Sequence, residues 1–377
     1  NAQISINQQK WAGNIEIHIK SSDWYLHNHE KDANYDNVIL HVVWENDSPI
    51  FRKDNSEIPT LELKKYVSLS EINKYRSLIT SKSWINCENQ ITEIDNFIWN
   101  NWLESLFLNR LERKSEVIDK RLQETNHDWE AVFLEMLAKN FGLNTNGDCY
   151  LQLAQSVSYS IIRKESFDAE NLEALFFGKL NLLEENLEDE YYFKLKNNWK
   201  YLKLKYNLQE EFGLQPQFFK LRPDNFPTMR LSQLIHLISN NQNLFSQLIL
   251  VNSYSEIKRL LKSETSEYWK SHYNFSKKSK LKSKVLTNQF IDLLIINTVV
   301  PIKFSYGKNQ GMLNVEELIS LLEALPSEKN SILDKFSEFK IKSANAFQSQ
   351  SLLELKNEYC NKNKCLKCAV ALQLLKN

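Results

Sequence analysis

The stretch from Trp11 to Glu45 constrains this chain most. It alone reads as strand, short helix, strand, while nearly everything after it has helical periodicity. From Ile15 to Lys20 apolar and ionisable residues alternate, with Ile15, Ile17 and Ile19 on one face and Glu16, His18 and Lys20 on the other. That period of two predicts a half-buried strand. Gly13, just before it, admits a tight entry or the close approach of another backbone. Ser21, Ser22 and Asp23 are N-cap candidates for a helical or turn segment beginning at Trp24. Val38 to Trp44 is an almost continuous apolar run rich in β-branched residues, which predicts a strand covered on both faces, as in a parallel sheet.

Four of the seven histidines (His18, His27, His29 and His41) fall in this stretch, with Glu16, Asp23, Asp32 and Asp36. A carboxylate and an imidazole two positions apart on a strand can both face one divalent metal, here Mg²⁺ or Mn²⁺. A lysine beside them can hold an anionic oxygen or orient a water. Glu16, His18 and Lys20 are therefore the expected catalytic residues, Glu16 and His18 the expected metal ligands, and Asp23 and His27 secondary candidates, with His29, Asp32 and Asp36 further candidate ligands within reach of a short loop. The simpler alternative is a surface ion pair between Glu16 and Lys20, with solvent-facing histidines. His41, inside the apolar strand, is expected to be a satisfied core histidine.

The run WAGNIEIHIKSSDW (Trp11 to Trp24), the later DNVILHVVW (Asp36 to Trp44), RPDNFPTMRLSQL (Arg222 to Leu234) and the terminal cysteine pattern carry a resemblance. They resemble the bacterial domain of unknown function 2851 family over nearly the whole chain. Members of that family begin upstream with a G-P-D-F-type segment, which implies that this chain starts in mid-strand, without that aspartate. Pro-Asp on one strand and Glu-x-Lys on the next would resemble the PD-(D/E)xK nucleases and their restriction-endonuclease-like core. There, two acids hold Mg²⁺ or Mn²⁺ and a lysine positions the attacking water. This chain departs from that pattern with His18 in the lysine position and the lysine displaced to Lys20.

From Ser83 onward helical patterns dominate, the longest from Ile91 to Leu122, followed by Trp129 to Phe141, Asn171 to Leu183 and Tyr191 to Tyr206. The chain has only seven glycines and seven prolines, which agrees with long helices and few tight turns. The expected fold class is α+β: a small mixed α/β domain over 1–82 and a larger all-α domain over 83–377. Ile50 to Arg52 and Thr60 to Leu63 would complete the sheet. One proline-marked loop, Phe218 to Arg230, interrupts the helices. Thr228 is its candidate cap, and Lys220, Arg222 and Arg230 are expected to bind an anionic substrate at a helix start. The competing reading of that loop is a rigid interhelical connection.

Lysine plus arginine and aspartate plus glutamate balance at 47 each, so no global field recruits nucleic acid and any such contact must be local. Glu256 to Lys284 offers one candidate, with nine Lys or Arg against three Glu and interleaved aromatics. It also fits a solvated helical edge with its aromatics turned inward.

Near the C-terminus Cys360, Cys365 and Cys368 are spaced C-x4-C-x2-C, suited to zinc or an iron–sulfur cluster. Cys87 or Cys149 would supply the fourth ligand; three ordinary reduced cysteines are the alternative. The longest apolar run, Phe290 to Pro301, is too short to span a bilayer, so no membrane partner is expected. The cysteines show no secreted-type pairing framework and fit a reducing cytoplasm. Walker A, G-x-G-x-x-G, G-x-S-x-G and H-E-x-x-H patterns are absent from the sequence. The leading expectation is a metal-dependent nuclease acting on nucleic acid. The alternative is a non-catalytic interaction or nucleic-acid-binding scaffold that retains a nuclease-like core.

Overall fold

The alternation at the start of the chain forms a sheet. In the computed structural model, which describes residues 2–6, 8–80, 83–209 and 215–376, β1 (Ala2–Ile6) pairs antiparallel with β2 (Gln9–Lys20). β3 (Val38–Glu45) and β4 (Thr60–Glu62) then add in parallel, giving a mixed sheet of order β1-β2-β3-β4. Gly13 is needed at the bulge where β2 meets β3: a Cβ there would lie 2.4 Å from the Asn37 carbonyl oxygen. That close approach permits the 2.8 Å bond from the Asn14 amide to Asn37. Of the two short strands expected after Pro49, only Thr60–Glu62 forms; Phe51 makes an isolated bridge to Glu57.

The burial of β2 inverts the expected pattern. Ile17 and Ile19 are 69% and 72% exposed, whereas Glu16 and His18 are half-buried. Alternation reveals which residues share a face, not which face is covered. The loops after β2 and β3 fold over the Glu16 face and build a small core from Trp24, Val38, Ile50 and Ile58, with Tyr35 against it.

The chain divides into two compact units, Asn1–Ile98 with Tyr359–Asn377, and Trp99–Glu358. The cysteine motif therefore belongs to the first unit. The expected boundary at Lys82 lies outside the described residues. A capping box at Ser68 and Glu71 opens the helix Leu69–Ile79.

The second unit is helical. The first long helix runs Asn96–Glu124, two residues past the expected end, and Trp129–Phe141 has the expected bounds. Ala169–Lys179 and Glu190–Lys205 occupy the next two expected positions. Gly178 is required because a Cβ there would lie 2.1 Å from the Trp199 ring. The continuous helix from Asn288 to Gln310 is long and apolar enough to cross a membrane by length and composition, with 83% of its apolar window buried in the protein. In the basic segment Trp269 is fully buried against Phe177 and Phe275. There the Lys284 ammonium donates to the carbonyls of Trp269 and His272 at 2.5 and 2.6 Å.

Candidate metal centre

The chain turns sharply at the carboxyl end of β2. The Lys20 amide donates to the Asp23 carboxylate at 2.9 Å, and Asp47 accepts from the Ser22 amide and from the Ser21 and Ser22 hydroxyls. These bonds hold the exposed Asp47 carboxyl down to about 2. The serines thus anchor to Asp47, and no side chain caps the short helix Asp23–Leu26. His27 ends that helix, Asn28 takes a left-handed conformation (φ 58°), and His29 opens a 3₁₀ turn. Asparagine tolerates that conformation, and this reversal aims both histidines back at the strand.

Four imidazoles gather there. His18 Nδ1 lies 2.8 Å from His41 Nε2, and His18 Nε2 lies 3.1 Å from His27 Nδ1. Glu16 Oε1 is 3.7 Å from His18 Nε2. His29 stacks on Tyr35 with ring centroids 3.7 Å apart, and Trp24 meets both His29 and His41. Among the described residues, His18, His27 and His29 form the one group whose ligand atoms all lie within 4.8 Å of one another.

Burial favours the neutral form of two of these rings, His41 and His18. Burial, then the neighbouring His18 and His29, pulls His41 down to about 4. Burial also lowers His18, opposed by Glu16 and reinforced by His29 and His27. Neutral imidazole is the form that binds a metal. Two tautomer sets fit these distances, and one of them frees a ligand nitrogen. In that set His18 donates from Nδ1 to His41 Nε2, which leaves the Nε2 lone pair of His18 facing His27 and Glu16. A proton then sits on His41 Nδ1, which is buried and has no hydrogen-bond partner. A backing hydrogen bond of this kind orients metal-binding histidines. Two imidazole nitrogens on one tetrahedral zinc would be about 3.3 Å apart, from a Zn–N length of about 2.05 Å. The 3.1 Å between His18 and His27 fits that spacing.

The structure thus brings His27 to the expected pair Glu16 and His18, and adds His29. Lys20 shares their strand face and is exposed. The Asp23 carboxylate binds the turn. His41 is buried as expected, but one of its nitrogens belongs to the cluster and the other is unpartnered. Sequence reasoning named His29 as a candidate and left it out of the leading set. The His-x-His spacing of His27 and His29 was the available signal.

The expected substrate-binding residues lie in the second unit. Lys220 and Arg222 are exposed. Arg230 is buried, with its guanidinium 3.7 Å from the Phe290 ring centroid and donating to Gln233 and Asn225; burial pulls it down to about 10. Thr228 does not cap the following helix. Pro227 sits in its first turn after Phe226, and the Thr228 hydroxyl donates to the Tyr273 carbonyl at 2.7 Å.

In the first unit Cys87, Cys360, Cys365 and Cys368 line one cavity, whereas Cys149 belongs to the second. Burial, then the neighbouring Cys368 and Cys365, pushes the Cys87 thiol up to about 12.

Fold and site together define an α+β protein with a polyhistidine centre at the carboxyl end of a parallel strand pair, where open α/β sheets commonly bind ligands. The chain belongs to the family described as Protein of unknown function (DUF2851), whose family model matches residues 1–331. No curated protein and no solved structure matches the chain.

Proposed function

We propose that this centre is the metal site of a phosphodiester hydrolase acting on nucleic acid. His18, His27 and His29 would be the ligands, Glu16 the adjoining carboxylate, and Lys20 the phosphate-facing cation. The convergence of three imidazoles on one point carries the reading. A donor set of three imidazoles suits Zn²⁺ better than Mg²⁺ or Mn²⁺, which prefer oxygen ligands. A bound divalent ion would supply charge neutralisation at the phosphate and a more acidic water. Glu16, beside His18, would accept a proton from that water, and His41 would hold the His18 ring in its ligating orientation. Lys20, two residues beyond His18 on the same face, would bind a non-bridging phosphate oxygen. The antiparallel β1–β2 pair followed by a parallel β3 is compatible with the nuclease-like resemblance, which rests otherwise on the residues of β2.

The test is incubation of the full chain with single- and double-stranded DNA and RNA in Mn²⁺ or Zn²⁺, beside Glu16→Ala and Lys20→Ala. The expected outcome is cleavage that drops at least about 100-fold in both variants, the scale of removing one charge-stabilising group. Lys20→Ala should still bind metal. No cleavage of any substrate by folded, metal-loaded protein would overturn the reading. It would favour a second one, a non-catalytic scaffold, for which the exposed Ile17 and Ile19 on the opposite sheet face speak.

A further inference from the structure

We infer that Cys87, Cys360, Cys365 and Cys368 together hold an iron–sulfur cluster that ties the turn at residue 87 to the C-terminal segment. This inference is independent of the histidine centre. All four thiols border one cavity, whose other walls include Leu78, Tyr359 and Ala371. Cys365 and Cys368 are 9% and 6% exposed, and none of the four forms a disulfide. A free cysteine packs readily as a small hydrophobe, so burial alone assigns nothing; the gathering of four thiols from two distant segments on one cavity is what points to a shared ligand.

The backbone is arranged to deliver them. Cys360 ends a π-helical turn, Leu355–Cys360, and Asn363 reverses the chain in a left-handed conformation (φ 50°). A 3₁₀ turn, Cys365–Lys367, then presents Cys365, and Cys368 leads into the helix Ala369–Lys376. On the other side, the Cys87 carbonyl accepts from the Gln90 and Ile91 amides at 3.0 and 2.9 Å, which fixes its turn. Asn86 joins the two segments: its side-chain amide donates to Asn363 Oδ1 at 3.2 Å and to Cys365 Sγ at 3.5 Å. An amide donated to a cysteine sulfur is one of the protein's means of tuning an iron–sulfur centre. Lys364 at the cavity wall, with Lys362 and Lys367 in the same loop, would offset the negative charge of thiolate ligands.

Spacing separates a cluster from a single ion. Zinc at about 2.3 Å from each sulfur holds its thiolates about 3.8 Å apart. Three thiols so placed would lie within 4.8 Å of one another, and among the described residues only the histidine group does. Thiols that share a cavity at wider separation suit a polynuclear centre, and C-x4-C-x2-C with one distant cysteine is an iron–sulfur ligand spacing. Each thiol would give up its proton to solvent as its sulfur–iron bond forms.

The experiment is purification of the full chain without oxygen, followed by assay of iron, acid-labile sulfide and zinc and by visible spectroscopy. The expected result is iron and sulfide in equal amounts, with sulfur-to-iron charge-transfer absorption. Both should be lost in Cys87→Ser and kept in Cys149→Ser. Should Cys87→Ser fail to fold, the metal content of the unaltered chain decides. One zinc per chain without sulfide would overturn the inference. So would disulfides among these cysteines, or free thiols that take up no iron when reconstituted with ferric and ferrous salts and sulfide.

Discussion

The histidine centre and the polar core of the helical unit both withdraw ionisable groups from water, but they differ in how those groups are satisfied. In the helical unit the buried Glu173 accepts from Ser232 at 2.6 Å, Tyr191 at 2.5 Å and Trp269 at 3.2 Å. The Lys303 ammonium donates to the carbonyls of Leu248 and Ile249 at 2.9 and 2.8 Å. Those groups have fixed, complementary partners, the arrangement expected of structural polar groups. At the carboxyl end of β2, by contrast, ring nitrogens face other ring nitrogens, and His41 Nδ1 is buried without a partner. Burial marks both regions. Single unpartnered atoms occur in both, His236 Nε2 in the helical unit among them; among the described residues, convergence of several ring nitrogens on one point marks only the second, and that separates a candidate site from a core.

The contrast can be broken from either side. The largest effect is expected at Glu173, where burial pushes the carboxyl above its usual range despite three donors. Glu173→Ala would strand the Ser232, Tyr191 and Trp269 donors and destabilise the helical unit by about 3–4 kcal/mol, read by denaturant unfolding. Metal affinity at the histidine centre should be unchanged. A smaller effect is expected from pH. His41 titrates near 4 when folded and at 6.5 when unfolded, so between those values the unfolded chain binds more protons. Its contribution is fully present above pH 6.5 and is lost as pH falls towards 4, at most about 3 kcal/mol. Denaturation of the metal-free chain across that window should show the loss, and His41→Phe should flatten it.

The sequence exposed much of this arrangement and hid specific parts. The period-two pattern located β2 and grouped Glu16, His18 and Lys20, because side-chain alternation is a local property. It did not tell which face would be covered, since that depends on the loops carrying Trp24 and Tyr35. His29 joins the centre through the left-handed turn at Asn28, a backbone choice that no hydrophobic pattern encodes. His41 looked like core because its neighbours Leu40 and Val42 are apolar, and its ring meets His18 only once β2 and β3 pair in register. The long helices were legible from their apolar stripes. The meeting of Cys87 with Cys360, Cys365 and Cys368 depends on tertiary structure that local spacing does not contain. At Arg230, charge drew attention to a loop whose arginine the fold places over Phe290.

The most direct test of the histidine centre is a calorimetric titration of the metal-free chain with Zn²⁺ and Mn²⁺, beside His18→Ala and a Cys87→Ser/Cys365→Ser background that removes thiol binding. The account predicts one saturable site per chain in that background, with affinity falling at least about 100-fold in His18→Ala, more than the loss of a supporting outer residue. Equal binding by His18→Ala, or no saturable site in the folded chain, would contradict it.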